Sequence, residues 1–174
     1  SPPQWHCGHA RETKRLPEFI LNHLLSWITF FPIIGMIVVL ALPSSRGSLI
    51  RWVSVISTFV PFLLGIFLFL SFDRDEAGLQ FIERASWIPS FNIHYYLATD
   101  GLSISMILLT ALLSFLCVFA SWEINKGVKG YFAMFLLLET GMLGVFCALD
   151  FFLFYVFWEI VLLPMYFLIG VWGG

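Results

Sequence analysis

Two carboxylates interrupt the most apolar part of this 174-residue sequence. Glu139 lies in the stretch Tyr131 to Leu149 and Glu159 in the stretch Phe151 to Gly170, and both stretches are otherwise free of charge. An ionisable side chain at membrane depth is costly and is usually aimed at a partner or a water-filled path; the chemistry it offers is uptake and release of a proton. Asp150 alone separates the two stretches. Together they are about twice the roughly 20 residues of one bilayer crossing, which predicts two helices joined by a tight turn at Asp150. At 1.5 Å per residue, Glu139 is about 16 Å and Glu159 about 14 Å from that turn, close to a membrane midplane. If both side chains face the same way they share one polar pocket, which the spacing leaves open. The alternative for either acid is a neutral, hydrogen-bonded carboxyl that holds helices together.

Pro164, five residues after Glu159, cannot donate the bond that would satisfy the carbonyl of Ile160. That carbonyl is positioned to hold a water beside the acid; an ordinary packing kink is the other reading, as it is for Pro32 and Pro61. Gly141, Gly144 and Ala148 give the fourth helix a small-residue face for close approach of a neighbour. Glu123, directly after Trp122, reads by itself as a solvated loop residue. His6, Cys7 and His9 lack the paired spacing of a zinc site, and Cys7, Cys117 and Cys147 form no paired framework, so no metal or redox cofactor is expected in this chain.

The elements that must carry these acids are set by composition. With 60% hydrophobic, 18% aromatic and 11% charged residues, the sequence lies outside the usage of soluble domains, and a net charge of -2 implies no nucleic-acid partner. Uncharged runs predict five transmembrane helices at about 24–42, 52–72, 102–122, 131–149 and 151–170, an all-α membrane fold. A polar connection over 73–101, with strand-like pieces such as Leu79 to Ile82 and Asn92 to Tyr96, lies outside the hydrocarbon. Asp100 is placed to cap the third helix. Residues 1–18 form a polar N-terminal extension ahead of a transmembrane domain over 19–174. The short loops 43–51 and 123–130 hold two basic residues each, which favours the cytoplasmic or matrix side for them, against Arg11, Lys14 and Arg15 before the first helix.

The run Gly144 to Glu159, which ends in Phe157-Trp158-Glu159, continues through Ile160-Val161-Leu162-Leu163-Pro164-Met165-Tyr166 to Trp172-Gly173. It closely resembles the antiporter-like subunit called M in bacterial complex I and subunit 4 in mitochondria. Asp73 to Gly78, Gln80 to Glu83, Trp87-Ile88-Pro89 and Tyr96 to Ser103 are similar to the same family's loop and third-helix start. The resemblance runs from about residue 24 to the end; residues 1–18 resemble nothing in the family.

The resemblance implies a membrane-arm subunit of NADH:quinone oxidoreductase, an H+-translocating enzyme, in a bacterial inner membrane or the mitochondrial inner membrane. It implies that Glu159, beside Trp158 and Pro164, is part of a proton-translocation site working with lysines on later helices, and that Glu123 is a second acid of that route. Glu139 matches a residue seen in only some branches. NADH, FMN, iron–sulfur clusters and quinone are expected in partner subunits, and the other membrane-arm subunits and the lipid bilayer are the expected partners. Family members are much longer, so the chain is expected to be an N-terminal fragment. A cation/proton antiporter subunit, a membrane-bound hydrogenase subunit, or a purely structural assembly subunit are the alternatives. The topology has a direct check: in Ser44→Cys and Ser90→Cys, an impermeant thiol reagent should label opposite faces of sealed vesicles, and labelling from one face would sink the five-crossing arrangement.

Overall fold

A computed structural model describes residues 23–73 and 78–173; the expected extension over 1–18 and the His6 to His9 tract lie outside the described residues. Five long helices make up most of it: α1 (Leu24–Ala41), α2 (Gly47–Ser71), α3 (Gly101–Ala120), α4 (Val128–Cys147) and α5 (Phe151–Trp172). All five are long and apolar enough to cross a membrane. Between α2 and α3 the chain forms an antiparallel hairpin of β1 (Gln80–Ile88) and β2 (Ile93–Thr99), joined by a 3-10 turn at Pro89–Phe91 and by Asn92 in the left-handed region at φ 55°. Asn is among the few residues besides Gly that visit this region readily. The strand-like pieces of the 73–101 connection thus belong to one hairpin, whose register shifts between Gln80 and Glu83 and again between Ser86 and Ile88.

Two helices begin earlier than the runs of uncharged residues suggest. α2 starts at Gly47 and takes in Arg51, and α4 starts at Val128 and takes in Lys129. A basic residue in the terminal turn keeps its charged head at the membrane surface while its stem lies along apolar neighbours. The Arg51 guanidinium donates through one nitrogen to the Ile124 carbonyl and to Asn125 Oδ1, both at 3.0 Å. It ties the α3–α4 loop to the start of α2.

α4 is the central helix and packs against the other four. Phe132, Leu136 and Leu143 are fully buried along it, with Leu25 and Ile28 of α1, Ile50 of α2 and Ile107 of α3 around them. Apolar side chains also cover the outside: Ile37, Ile56, Leu70, Leu113 and Tyr166 are exposed. Between helices in lipid there is no hydrophobic driving force, so close van der Waals packing and polar contacts must supply the adhesion. Gly35 of α1 shows how close that packing is, because a Cβ there would lie 2.0 Å from Ser57 Oγ of α2.

The hairpin fastens one end of the bundle. Glu83 of β1 is buried and its carboxylate accepts from the amides of Leu25 (2.7 Å) and Ser26 (3.2 Å) and from the Ser26 hydroxyl. These amides are in the first turn of α1, where a helix has no acceptors of its own, so Glu83 caps α1 from a distant part of the chain. His23 Nδ1 stands 3.8 Å from the same carboxylate, and Tyr95 of β2 bonds the Ser26 hydroxyl at 2.6 Å. Burial first, and then the neighbouring Glu83 carboxylate, push the Tyr95 hydroxyl up to about 12 against the lowering effect of its bond to Ser26. Glu83→Ala should leave the two α1 amides without acceptors and destabilise the detergent-solubilised protein by about 1–3 kcal/mol; unchanged thermal unfolding would show that water replaces the carboxylate.

Candidate functional site

Asp150 forms the turn between α4 and α5 and caps α5 through Oδ1, which accepts from the amides of Phe152 (2.9 Å) and Leu153 (3.3 Å). Its Oδ2 accepts from the His94 amide at 3.1 Å, so the turn is bound to the hairpin as well. The His94 amide is the main cause that lowers the Asp150 carboxyl below its ordinary value, and the Ser103 amide, which Asp100 caps at 2.7 Å, does the same for Asp100. The Leu149 amide donates to the Tyr96 carbonyl at 2.9 Å. These bonds fix the level and rotation of α4 and α5, and with them the two membrane-embedded acids.

The structure does not bring Glu139 and Glu159 into one pocket. Glu139 is 0% exposed in the middle of α4, and neither of its carboxyl oxygens has a hydrogen-bond partner among the described residues. Thr140 Oγ1 next to it is likewise buried and unpartnered. Glu159 is exposed on α5 and lines a groove of about 430 Å³ with Leu137, Phe152, Tyr155, Val156, Ile160 and Leu163. Tyr155, one helical turn before Glu159, is the other polar side chain in that groove.

Helix geometry explains the separation. α4 meets α5 through Gly141 and Gly144: a Cβ on Gly141 would lie 2.8 Å from Val161 Cγ2, and one on Gly144 would lie 2.2 Å from the Phe157 ring. Residues three or four apart share a helix face, so Leu137, Gly141 and Gly144 present one face to α5, while Glu139, two positions from Gly141, points away from it. On α5 the buried residues Leu153, Phe157 and Pro164 mark the face turned inward, and Glu159, two positions after Phe157, points off it. The small-residue face read from the sequence thus does its packing work, and its phase already carried the answer about the two acids.

Pro164 is buried on the inward face of an α5 that continues unbroken past it, and Ile160, whose carbonyl it cannot satisfy, lines the Glu159 groove. Trp158 is exposed and stacks on Phe154 at 6.0 Å between ring centroids. Glu123 is exposed in the turn after α3, at the membrane face that also holds Arg46, Arg51, Lys126 and Lys129, and is not gathered with the two acids in mid-helix. At that face Trp172 Nε1 donates to the Lys126 carbonyl and closes the end of α5 onto the α3–α4 loop. Gly127 stands beside that ring at φ 62°, and a Cβ there would lie 3.1 Å from Trp172 Cζ2. Sequence reasoning missed the cap that Glu83 supplies to α1: an acid in a polar loop reads as solvated, and only strand pairing, which sets Glu83 against Leu97, reveals its inward aim.

Five apolar membrane-length helices, a polar hairpin at one face and two acids at mid-membrane define an integral, multi-span helical membrane protein. No family model matches the chain. It is 37% identical to NADH-ubiquinone oxidoreductase chain 4 of Marchantia polymorpha over 86% of its length, 41% identical to the chain 4 protein of Arabidopsis thaliana over 86%, and 40% identical to NADH-quinone oxidoreductase subunit M of Rhodobacter capsulatus over 88%. In each case it spans 30% of the relative's length. It superimposes on a chain of respiratory complex I from Thermus thermophilus with a TM-score of 0.70 and 27% identity, covering 85% of this chain and 29% of that one. A chain of an archaeal membrane-bound sulfane sulfur reductase matches with a TM-score of 0.70 and 26% identity, covering 83% and 29%. Over the stretch it spans, the chain is therefore similar in sequence and fold to the chain 4 and subunit M proteins of NADH:quinone oxidoreductases.

The α4–α5 crossing that sets the two acids apart is open to test. Gly144→Val should collide with Phe157 and lower stability by about 1–3 kcal/mol in thermal unfolding. Combined with Phe157→Ala, it should cost less than the sum of the two single losses; an additive double variant would show that the two side chains do not meet.

Proposed function

We propose that this chain serves in the proton-translocating membrane arm of an NADH:quinone oxidoreductase, with Glu159 as the group that takes up and releases the proton. The observation that carries the reading is the place of Glu159: a carboxyl inside a membrane-spanning helix, facing a groove whose other polar side chain is Tyr155; the resemblance of the Phe157-Trp158-Glu159 run to the family's proton site supports it. Opposite charge nearby favours the carboxylate and desolvation favours the acid, so moving a cation toward or away from the groove changes whether Glu159 keeps its proton. Electron transfer from NADH to quinone, with FMN and iron–sulfur clusters, belongs to partner subunits, and the membrane is the bacterial inner or mitochondrial inner membrane. Glu123 is the second acid of the route, at the membrane face with the basic loops.

The equal fit to the sulfane sulfur reductase chain gives a second reading, a membrane subunit of another respiratory membrane complex. Identities of 37–41% with the chain 4 and subunit M relatives favour the NADH:quinone enzyme. In the assembled complex, Glu159→Gln keeps volume and most hydrogen bonding but cannot titrate, so quinone reduction and proton pumping should fall together by roughly 100-fold while assembly survives. Glu159→Asp keeps the acid on a shorter arm and should be milder. Parental pumping by an assembled Gln variant would reduce Glu159 to a structural residue.

A further inference from the structure

Among the described residues, four carry a buried polar side-chain atom with no hydrogen-bond partner: Arg51, Ser114, Glu139 and Thr140. They lie on α2, α3 and α4. Counted along each helix from its end at the Lys126 face, at 1.5 Å per residue, Arg51 is about 6 Å in, Ser114 about 9 Å, Glu139 about 16 Å and Thr140 about 18 Å. The unmet polar groups thus lie at increasing depth from that face, on three helices packed against one another. Toward the hairpin face Leu25, Ile28, Ile104, Ile107 and Leu143 pack into one apolar cluster, and the buried Thr29 hydroxyl there already has a partner in Cys147 Sγ.

Buried polar groups almost always have partners, and a site with several converging polar atoms is where a protein binds internal water. Glu139 and Thr140 are consecutive on α4, so their unpartnered oxygens lie at one level of the bundle, about 100° apart around the helix. An unpaired carboxylate is not tolerated in such surroundings, whereas a neutral carboxyl bonded to water is. The titratable side chains on the helices packed around α4 are Arg51, Cys117, Tyr155, Glu159 and Tyr166, and none is bonded to Glu139. We propose that Glu139 and Thr140 form an internal water site that holds a proton on the Glu139 carboxyl, loaded from the Lys126 face past Ser114 and separate from the Glu159 groove. Loading forms one O–H bond on the Glu139 carboxylate and breaks one on a hydronium, which is left as water; release forms the hydronium again and leaves the carboxylate. The inference rests on the proton-translocation reading and adds a second stop to it.

In membranes carrying the assembled complex, Glu139→Gln should remove a protonated-carboxyl infrared band that shifts in heavy water, and should slow proton pumping by roughly tenfold or more. Thr140→Val and Ser114→Ala retain Glu139 with little change of volume; both should slow pumping by a smaller factor, and Thr140→Val should shift the band. Parental pumping in an assembled Glu139→Gln variant overturns the proposal. If that variant does not assemble, the other two decide, and parental rates with an unshifted band overturn it. Slow pumping in Glu159→Gln beside parental pumping in Glu139→Gln sinks this inference alone, whereas parental pumping in both sinks the proton-translocation reading with it.

Discussion

Lipid offers no hydrogen bonds, so each helix end at its boundary must find acceptors for its first amides within the protein or at the interface. At one face of this bundle three N-termini arrive together, those of α1, α3 and α5, and each is met by a carboxylate: Glu83, Asp100 and Asp150. Asp100 and Asp150 are local caps in the ordinary position. Glu83 comes from a strand, and that difference makes the hairpin a structural member. Because Glu83 holds α1 and the His94 amide holds Asp150, a single ladder sets the relative height of α1 and α5, with α4 between them anchored by the Leu149 to Tyr96 bond.

The same arrangement separates the two faces electrostatically. Carboxylates at the three N-termini complement the positive ends of the helix dipoles, and Arg46, Arg51, Lys126 and Lys129 gather where the C-termini of α1, α3 and α5 emerge. α2 and α4 run the other way and begin at the basic face with Arg46 and Gly127 at their cap positions and no side-chain cap. Three helices against two leave the bundle with an acidic, hydrogen-bonded hairpin end and a basic end. The basic end is closed by aromatic contacts, such as Trp52 with Trp122 at 5.7 Å and Tyr131 with Trp172 at 5.5 Å.

Helix number and order were legible because length and lack of charge are set by the bilayer, and five uncharged runs leave little freedom. Starts were less so: Arg51 and Lys129 look like loop residues until the length of a basic side chain is taken into account. The turn at Asp150 was legible from arithmetic on the 40-residue stretch. The aim of Glu83 was not, because it depends on strand register, and that register shifts between Gln80 and Glu83. The facing of Glu139 stood between these extremes. Small residues at 141 and 144 state which side of α4 meets a neighbour, and a residue two positions away lies on the opposite side whatever the neighbour is.

That opposition sets what each acid can do. Glu139 is fully buried on the central helix with no hydrogen-bond partner among the described residues, so its surroundings are fixed by packing. Glu159 sits on α5, the least covered of the five helices, with Tyr155 as its polar neighbour in the groove and no cation among the described residues lining it. Among the described residues, the five helices therefore place no positive side chain in the groove beside Glu159. The bundle supplies position: Asp150 and the glycine crossing set the height and outward facing of Glu159, and the groove leaves the carboxyl reachable from outside.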